Sequence, residues 1–138
     1  MAEARERLRG KGFSEEEIEQ TIQKAMEAGL LDDRLFTELW VEERLNHRPL
    51  ARRAIRRELE AKGITPEIID GVMSRLYPPE REPPIAIELA QRRLARYRGL
   101  DDQRKVRRTI SYLTRRGFPL FMSKKIVRTL LQQENNDA

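Results

Sequence analysis

The chain has 138 residues, 37% of them charged and 38% apolar, with no cysteine and a formal net charge of +5. The lack of cysteine excludes disulfides and thiolate metal sites, and no apolar run approaches the roughly 18 residues of a membrane span or the apolar stretch of a secretion signal, so a cytoplasmic protein without a membrane partner is expected. Residues 1–47 carry 7 Lys and Arg against 12 Asp and Glu (net −5) and residues 48–138 carry 21 against 11 (net +10), which draws polyanions or acidic protein surfaces to the later part of the chain.

Ser14, with Glu17 three residues on, is a capping-box pattern that opens a helix with Ile18, Ile22, Ala25 and Met26 on one face and Gly29 at its end. Asp32 or Asp33 caps a second helix that carries Phe36, Leu39 and Trp40 and runs to about Asn46, ahead of Pro49. A helix over about 50–61 sets Ala51, Ile55 and Leu59 against Arg52, Arg53, Arg56 and Arg57, and Gly63 stops it. Thr65-Pro66 supplies an N-cap and a first helical residue for a helix that ends near Leu76. Residues 78–84, Pro-Pro-Glu-Arg-Glu-Pro-Pro, are predicted to be a non-helical hinge, because each proline removes a donor and restricts the residue before it. A helix over about 85–97 follows, with Arg92, Arg93 and Arg96 outward. Asp101 or Asp102 caps a further helix through Val106, Ile110 and Leu113, bearing Arg104, Arg107, Arg108 and Arg115. The last helix, about 120–132, precedes a tail at 134–138 that is expected to fray.

A second pattern overlies these elements. Leu8 with Lys11-Gly12-Phe13, Leu59 with Lys62-Gly63-Ile64 and Leu113 with Arg116-Gly117-Phe118 repeat one motif, with glycines about fifty residues apart. Nothing alternates with period two for long enough to form a strand. The fold predicted is all-α: tandem three-helix repeats in an elongated, curved array. The divisions expected are an acidic first repeat at 1–47 that lacks most of its opening helix, and basic repeats at 48–98 and 99–138.

No catalytic constellation is visible. His47, the single histidine, lies beside a proline at a helix end and reads as a surface residue, since acid-base or metal chemistry needs partners. Asp32-Asp33 and Asp101-Asp102 each precede a helix, where N-capping is their natural role rather than metal binding. Trp40 and Phe36 share an apolar helix face and read as core, not as a base-stacking platform. The glycines are turn devices, because no phosphate-loop sequence accompanies them. An enzyme, a cofactor, a metal and a small-molecule substrate are therefore not expected, and a monomer is. The candidate partner-binding residues are Arg52, Arg53, Arg56, Arg57, Arg92, Arg93, Arg96, Arg104, Arg107, Arg108 and Arg115, whose planar forks suit carboxylates and phosphates equally. A helix-turn-helix DNA binder fits the short glycine turns, although Glu15-Glu16-Glu17 and Pro66-Glu67 make two of the following helices acidic where phosphate should approach. A helical scaffold for some other acidic protein remains open.

The segments Leu-x-x-Lys-Gly-Phe-Ser from Leu8, Gly29-Leu30-Leu31-Asp32-Asp33-Arg34-Leu35-Phe36 and Ile55 to Ile64, with the third Arg116-Gly117-Phe118, resemble the RecX family, bacterial regulators of the RecA recombinase. The resemblance covers nearly the whole chain. It implies a protein that enters the helical groove of the RecA filament on single-stranded DNA and contacts more than one protomer. Filament growth, ATP hydrolysis, strand exchange and repressor self-cleavage would be affected, with RecA as partner, single- or double-stranded DNA as a second candidate, and the basic faces as the contact. Two departures stand out. The basic first helix usual in the family is reduced here to Ala2–Arg9, and His47-Arg48-Pro49-Leu50 stands where the family tends to have a glycine, so that loop is expected to run differently.

Overall fold

The structure, a computed structural model, describes residues 9–29 and 32–137. These form α1 (Glu15–Glu27), α2 (Asp33–His47), α3 (Arg52–Ala61), α4 (Pro66–Leu76), a 3-10 turn at Pro79–Arg81, α5 (Glu82–Arg96), α6 (Asp102–Arg115) and α7 (Leu120–Asp137). No strand occurs among the described residues, in keeping with the all-α prediction. Leu8, Leu30, Leu31, all of the Ala2–Arg9 segment except Arg9, and the side chain of Met26 lie outside them.

Three of the predicted caps form. Ser14 and Glu17 bond reciprocally, each side chain accepting from the other's backbone N–H at 3.1 Å. Asp32 Oδ1 accepts from the Leu35 N–H at 2.7 Å and Asp101 Oδ1 from the Arg104 N–H at 2.8 Å. Each satisfies a donor that the first turn of a helix otherwise leaves orphaned. Thr65 has the extended backbone of an N-cap but makes no side-chain cap bond.

The leucine-basic-glycine-apolar repeat is a helix stop. At Gly63 (φ 83°) and Gly117 (φ 97°) the chain enters the left-handed region, where a Cβ is disfavoured. The following N–H groups, of Ile64 and Phe118, reach back five residues to the carbonyls of Leu59 and Leu113, both at 3.1 Å. All four of these apolar side chains are buried, which is the contact that accompanies such a stop.

Two expectations fail. The Pro-rich segment is not a non-helical hinge: a 3-10 turn occupies Pro79–Arg81, and Pro83 and Pro84 lie in the first turn of α5. Proline there forfeits only donors that have no intrahelical partner, so the helix tolerates it. The tail does not fray at 134, because α7 continues to Asp137. Its last turns are tied to α6 by Lys105 to Glu134 at 3.3 Å and Asn135 to Asp102 at 3.2 Å.

Two compact units result, one of the described residues up to Pro49 with Ile55–Tyr77, the other of Leu50–Ala54 with residues from Pro78 onward. This grouping differs from a division at 1–47, 48–98 and 99–138, since α3 serves both units and α5 packs with α6 and α7. The first unit buries Ile18, Phe36, Ile55, Leu59, Ile69 and Tyr77, and Phe36 stacks on Trp40 with centroids 5.7 Å apart, so both aromatics are core as predicted. Arg44 is buried beside them. It reaches Glu58 at 2.6 Å and Glu19 at 2.7 Å, and its guanidinium lies 4.7 Å from the Trp40 ring, so the burial of charge is compensated on three sides.

The second unit packs Ala86, Leu89 and Ala90 of α5 with Leu113, Phe118, Ile126 and Val127. Ala51, just before α3, belongs to this core. There the Ala51 N–H donates to the Arg116 carbonyl at 3.0 Å and the Arg52 N–H to Glu82 at 2.7 Å. The helix start thus depends on groups 30 or more residues away in sequence.

Candidate basic interface

Arg104, Arg108 and Tyr112 on α6 and Arg116 just after it are spaced by four and share one stripe, as do Arg93 on α5 and Tyr97 just after that helix. The two stripes meet. The Arg93 guanidinium lies 3.8 Å from the Tyr112 ring centroid, Arg116 lies 4.8 Å from the same ring, and Arg108 lies 5.8 Å from Tyr97. Aromatic faces hold guanidinium groups in place without neutralising them. Burial works against the charge of Arg93, but the hydroxyls of Tyr112 and Tyr97 outweigh it and hold the group above the usual arginine range.

Other arginines are committed to carboxylates. Arg56 pairs with Asp70 at 2.6 Å and Glu60 at 3.2 Å, and the hydrogen bond to Asp70 raises its pKa above the ordinary value. Arg92 pairs with Glu88 at 2.6 Å, and Arg104 approaches Asp101 at 3.6 Å. Among the described residues Arg57, Arg93, Arg96, Arg107, Arg108 and Arg115 make no ion pair. For Arg107, Arg108 and Arg115 the sequence explains the excess: residues 103–133 hold nine Lys and Arg and no Asp or Glu.

Of the candidate residues, the second unit gathers Arg93, Arg96, Arg104, Arg107, Arg108 and Arg115 on α5 and α6, together with Arg92. Arg52 and Arg53 stand at the start of α3 in that unit, while Arg56 and Arg57 belong to the first. Arg53 does not point free of the fold, since its Nε donates to the Gly117 carbonyl. Tyr97, Tyr112 and Arg116 join this cluster although the sequence reading does not single them out, and the four-residue spacing of Arg108, Tyr112 and Arg116 carries the signal for two of them.

His47 is exposed, as expected, yet it has company. Glu15, Glu43 and His47 converge, and Arg9 sits among them, bonded to Glu15 at 2.9 Å and Glu43 at 2.5 Å and in contact with His47 Nε2. The Arg9 hydrogen bond holds the Glu15 carboxyl below the usual carboxylate range and in turn raises Arg9. A guanidinium thus already supplies the positive charge that this carboxylate pair would seek.

These features define a helical-repeat protein with a surface arginine-tyrosine cluster and, among the described residues, no helix long and apolar enough to cross a membrane. Residues 32–73 match the family model for the second three-helix domain of RecX, and 85–127 match the model for its third. The chain is 39% identical over 133 residues to the regulatory protein RecX of Streptomyces coelicolor, covering 96% of this chain and 70% of that one. It is 35% identical over 133 residues to that of Thermobifida fusca, covering 96% and 71%. A crystal structure of regulatory protein RecX superposes with a TM-score of 0.59 at 26% identity, over 88% of this chain and 60% of that one. The chain belongs to the RecX family of regulatory proteins.

Proposed function

We propose that the chain regulates the RecA recombinase by binding the RecA filament on single-stranded DNA, restraining its ATPase, strand exchange and co-protease functions without chemistry of its own. The observation that carries this reading is the set of arginines on α5 and α6 that make no ion pair among the described residues, Arg93, Arg96, Arg107, Arg108 and Arg115, the last three within a run from 103 to 133 that has no acidic residue. Arginines held on tyrosine faces are preorganised for carboxylates or phosphates, and several weak contacts on a repeating filament multiply. A helix-turn-helix mode on DNA is disfavoured, because the helix after Gly117 opens with exposed Leu120 and Phe121 instead of groups that pair with phosphate.

The test reverses Arg96, Arg107, Arg108 and Arg115 to glutamate. Arg53 is spared, since its bond to the Gly117 carbonyl makes it part of the fold. The variant should keep its helical circular dichroism and lose inhibition of the filament's ATPase, and the parent's inhibition should weaken steeply with salt. A folded variant that inhibits like the parent would place the contact elsewhere.

A further inference from the structure

Between α5 and α7 the second unit leaves an open groove of about 430 Å³, lined by Ile87, Met122, Lys125, Ile126, Thr129 and Leu130 among others. None of the arginines or tyrosines of the basic surface lines it. Ile87 is 36% exposed there, and Phe121 is 82% exposed. Phe121, Lys125 and Thr129 follow at intervals of four on α7, which sets the exposed ring one turn beyond the lining along the same stripe. An apolar groove continued by an exposed aromatic marks an interaction surface rather than a scatter of single apolar residues.

The charge around the groove narrows the occupant. Lys125 is the one charged residue in the lining, and Lys124 and Arg128 flank it on α7, in the stretch that has no acid. The floor offers apolar atoms where a nucleic acid would need donors for phosphate. A channel between two packed helices takes the apolar face of a third helix. Resting on the proposed function, we infer that this groove receives an amphipathic helix of a recombinase protomer, its apolar anchors against Ile87 and Met122 and a carboxylate beside Lys125. The chain then holds the filament at two separate places on one unit, an arginine surface and an apolar socket. The socket supplies a desolvated anchor, which is where binding energy concentrates, and the arginine surface supplies attraction at longer range.

The experiment compares the full chain with Ile87→Glu, Thr129→Trp and Lys125→Glu for binding to RecA filaments assembled on single-stranded DNA, and to bare single-stranded DNA. Circular dichroism and thermal unfolding serve as the check on folding. All three positions are at the surface, so the fold should persist. Ile87→Glu and Thr129→Trp should weaken filament binding about tenfold or more, and Lys125→Glu by a few-fold, whereas binding to bare DNA should not change for Ile87→Glu and Thr129→Trp. The inference is overturned if folded Ile87→Glu and Thr129→Trp bind the filament like the parent. It is also overturned if the parent sediments as a dimer that Ile87→Glu dissociates, since a second copy then fills the groove. If the unmutated chain does not bind the filament at all, the proposed function falls, and the inference with it, an outcome read from the parent alone.

Discussion

Replacing Gly117 by alanine probes the junction on which the second unit depends. A Cβ built there would lie 2.8 Å from Ala54 Cβ and 3.3 Å from Ala51 Cβ, and the backbone has φ +97°. The left-handed conformation costs an L-residue about 1–2 kcal/mol, and forcing a methyl into a filled contact costs about 1–3 kcal/mol. Ala54 and Ala51 cannot rotate away, so the start of α3 must move, loosening the Ala51 bond to the Arg116 carbonyl and the Arg53 bond to the Gly117 carbonyl. Together about 2–5 kcal/mol is expected, a large share of a typical domain's stability. Gly63→Ala is the internal control, with a similar φ of +83° and nothing within 4 Å of its Cβ, so it should cost only the backbone strain of about 1–2 kcal/mol. Urea unfolding of parent and both variants measures the difference. If Gly117→Ala is no more destabilising than Gly63→Ala, the close approach to Ala54 carries no weight and the packing argument is wrong. Ala54→Gly in the Gly117→Ala background should recover part of the loss by removing the nearer methyl.

Glu82→Ala should destabilise by about 1–2 kcal/mol, read by urea denaturation, because it removes the carboxylate that caps the Arg52 N–H, and Glu82→Gln should retain part of that bond. Thr109→Val should be neutral or stabilising by up to about 1 kcal/mol in the same assay, since the Thr109 hydroxyl oxygen is buried without a hydrogen-bond partner among the described residues. The Glu15 carboxyl is depressed in the folded state by Arg9, so it contributes stability above the unfolded carboxyl's pKa that is lost as pH falls through the folded one, below about pH 4. Thermal unfolding across that range should therefore show a smaller acid-side loss for Glu15→Gln than for the parent, and equal losses would refute the pair's role.

The basic surface and the apolar groove lie on non-overlapping sets of residues of one unit, and both draw on the same compositional oddity, thirty-one residues from 103 to 133 without a carboxylate. In the first unit every deeply placed arginine charge has carboxylates to meet, as Arg44 shows with Glu19 and Glu58. In the second unit Arg93, Arg96, Arg107, Arg108 and Arg115 make no ion pair among the described residues, which leaves their charge available to another molecule.

The sequence by itself determined the helices and most of their ends. Helix starts at Ser14, Asp32 and Asp101 and stops at Gly63 and Gly117 are local events, decided by a side chain bonding within three residues or by a backbone angle that glycine alone adopts easily, so their signals are written in adjacent letters. The burial of Phe36 and Trp40 was legible for the same reason, from the period of one helix face. Tertiary structure decided what depends on partners far apart in the chain. It capped α3 with Glu82 and the Arg116 carbonyl, drew Arg53 into the fold, placed α5 with α6 and α7, and kept the last turn helical through Glu134 and Asn135. It also sorted arginines that look alike in the sequence: Arg56 is bound to Asp70, while Arg93 and Arg108 rest on tyrosine rings with their charge uncancelled. A residue's propensity is fixed by its neighbours in the chain, but the fate of its charge is fixed by which carboxylates the packed helices bring within a few ångströms.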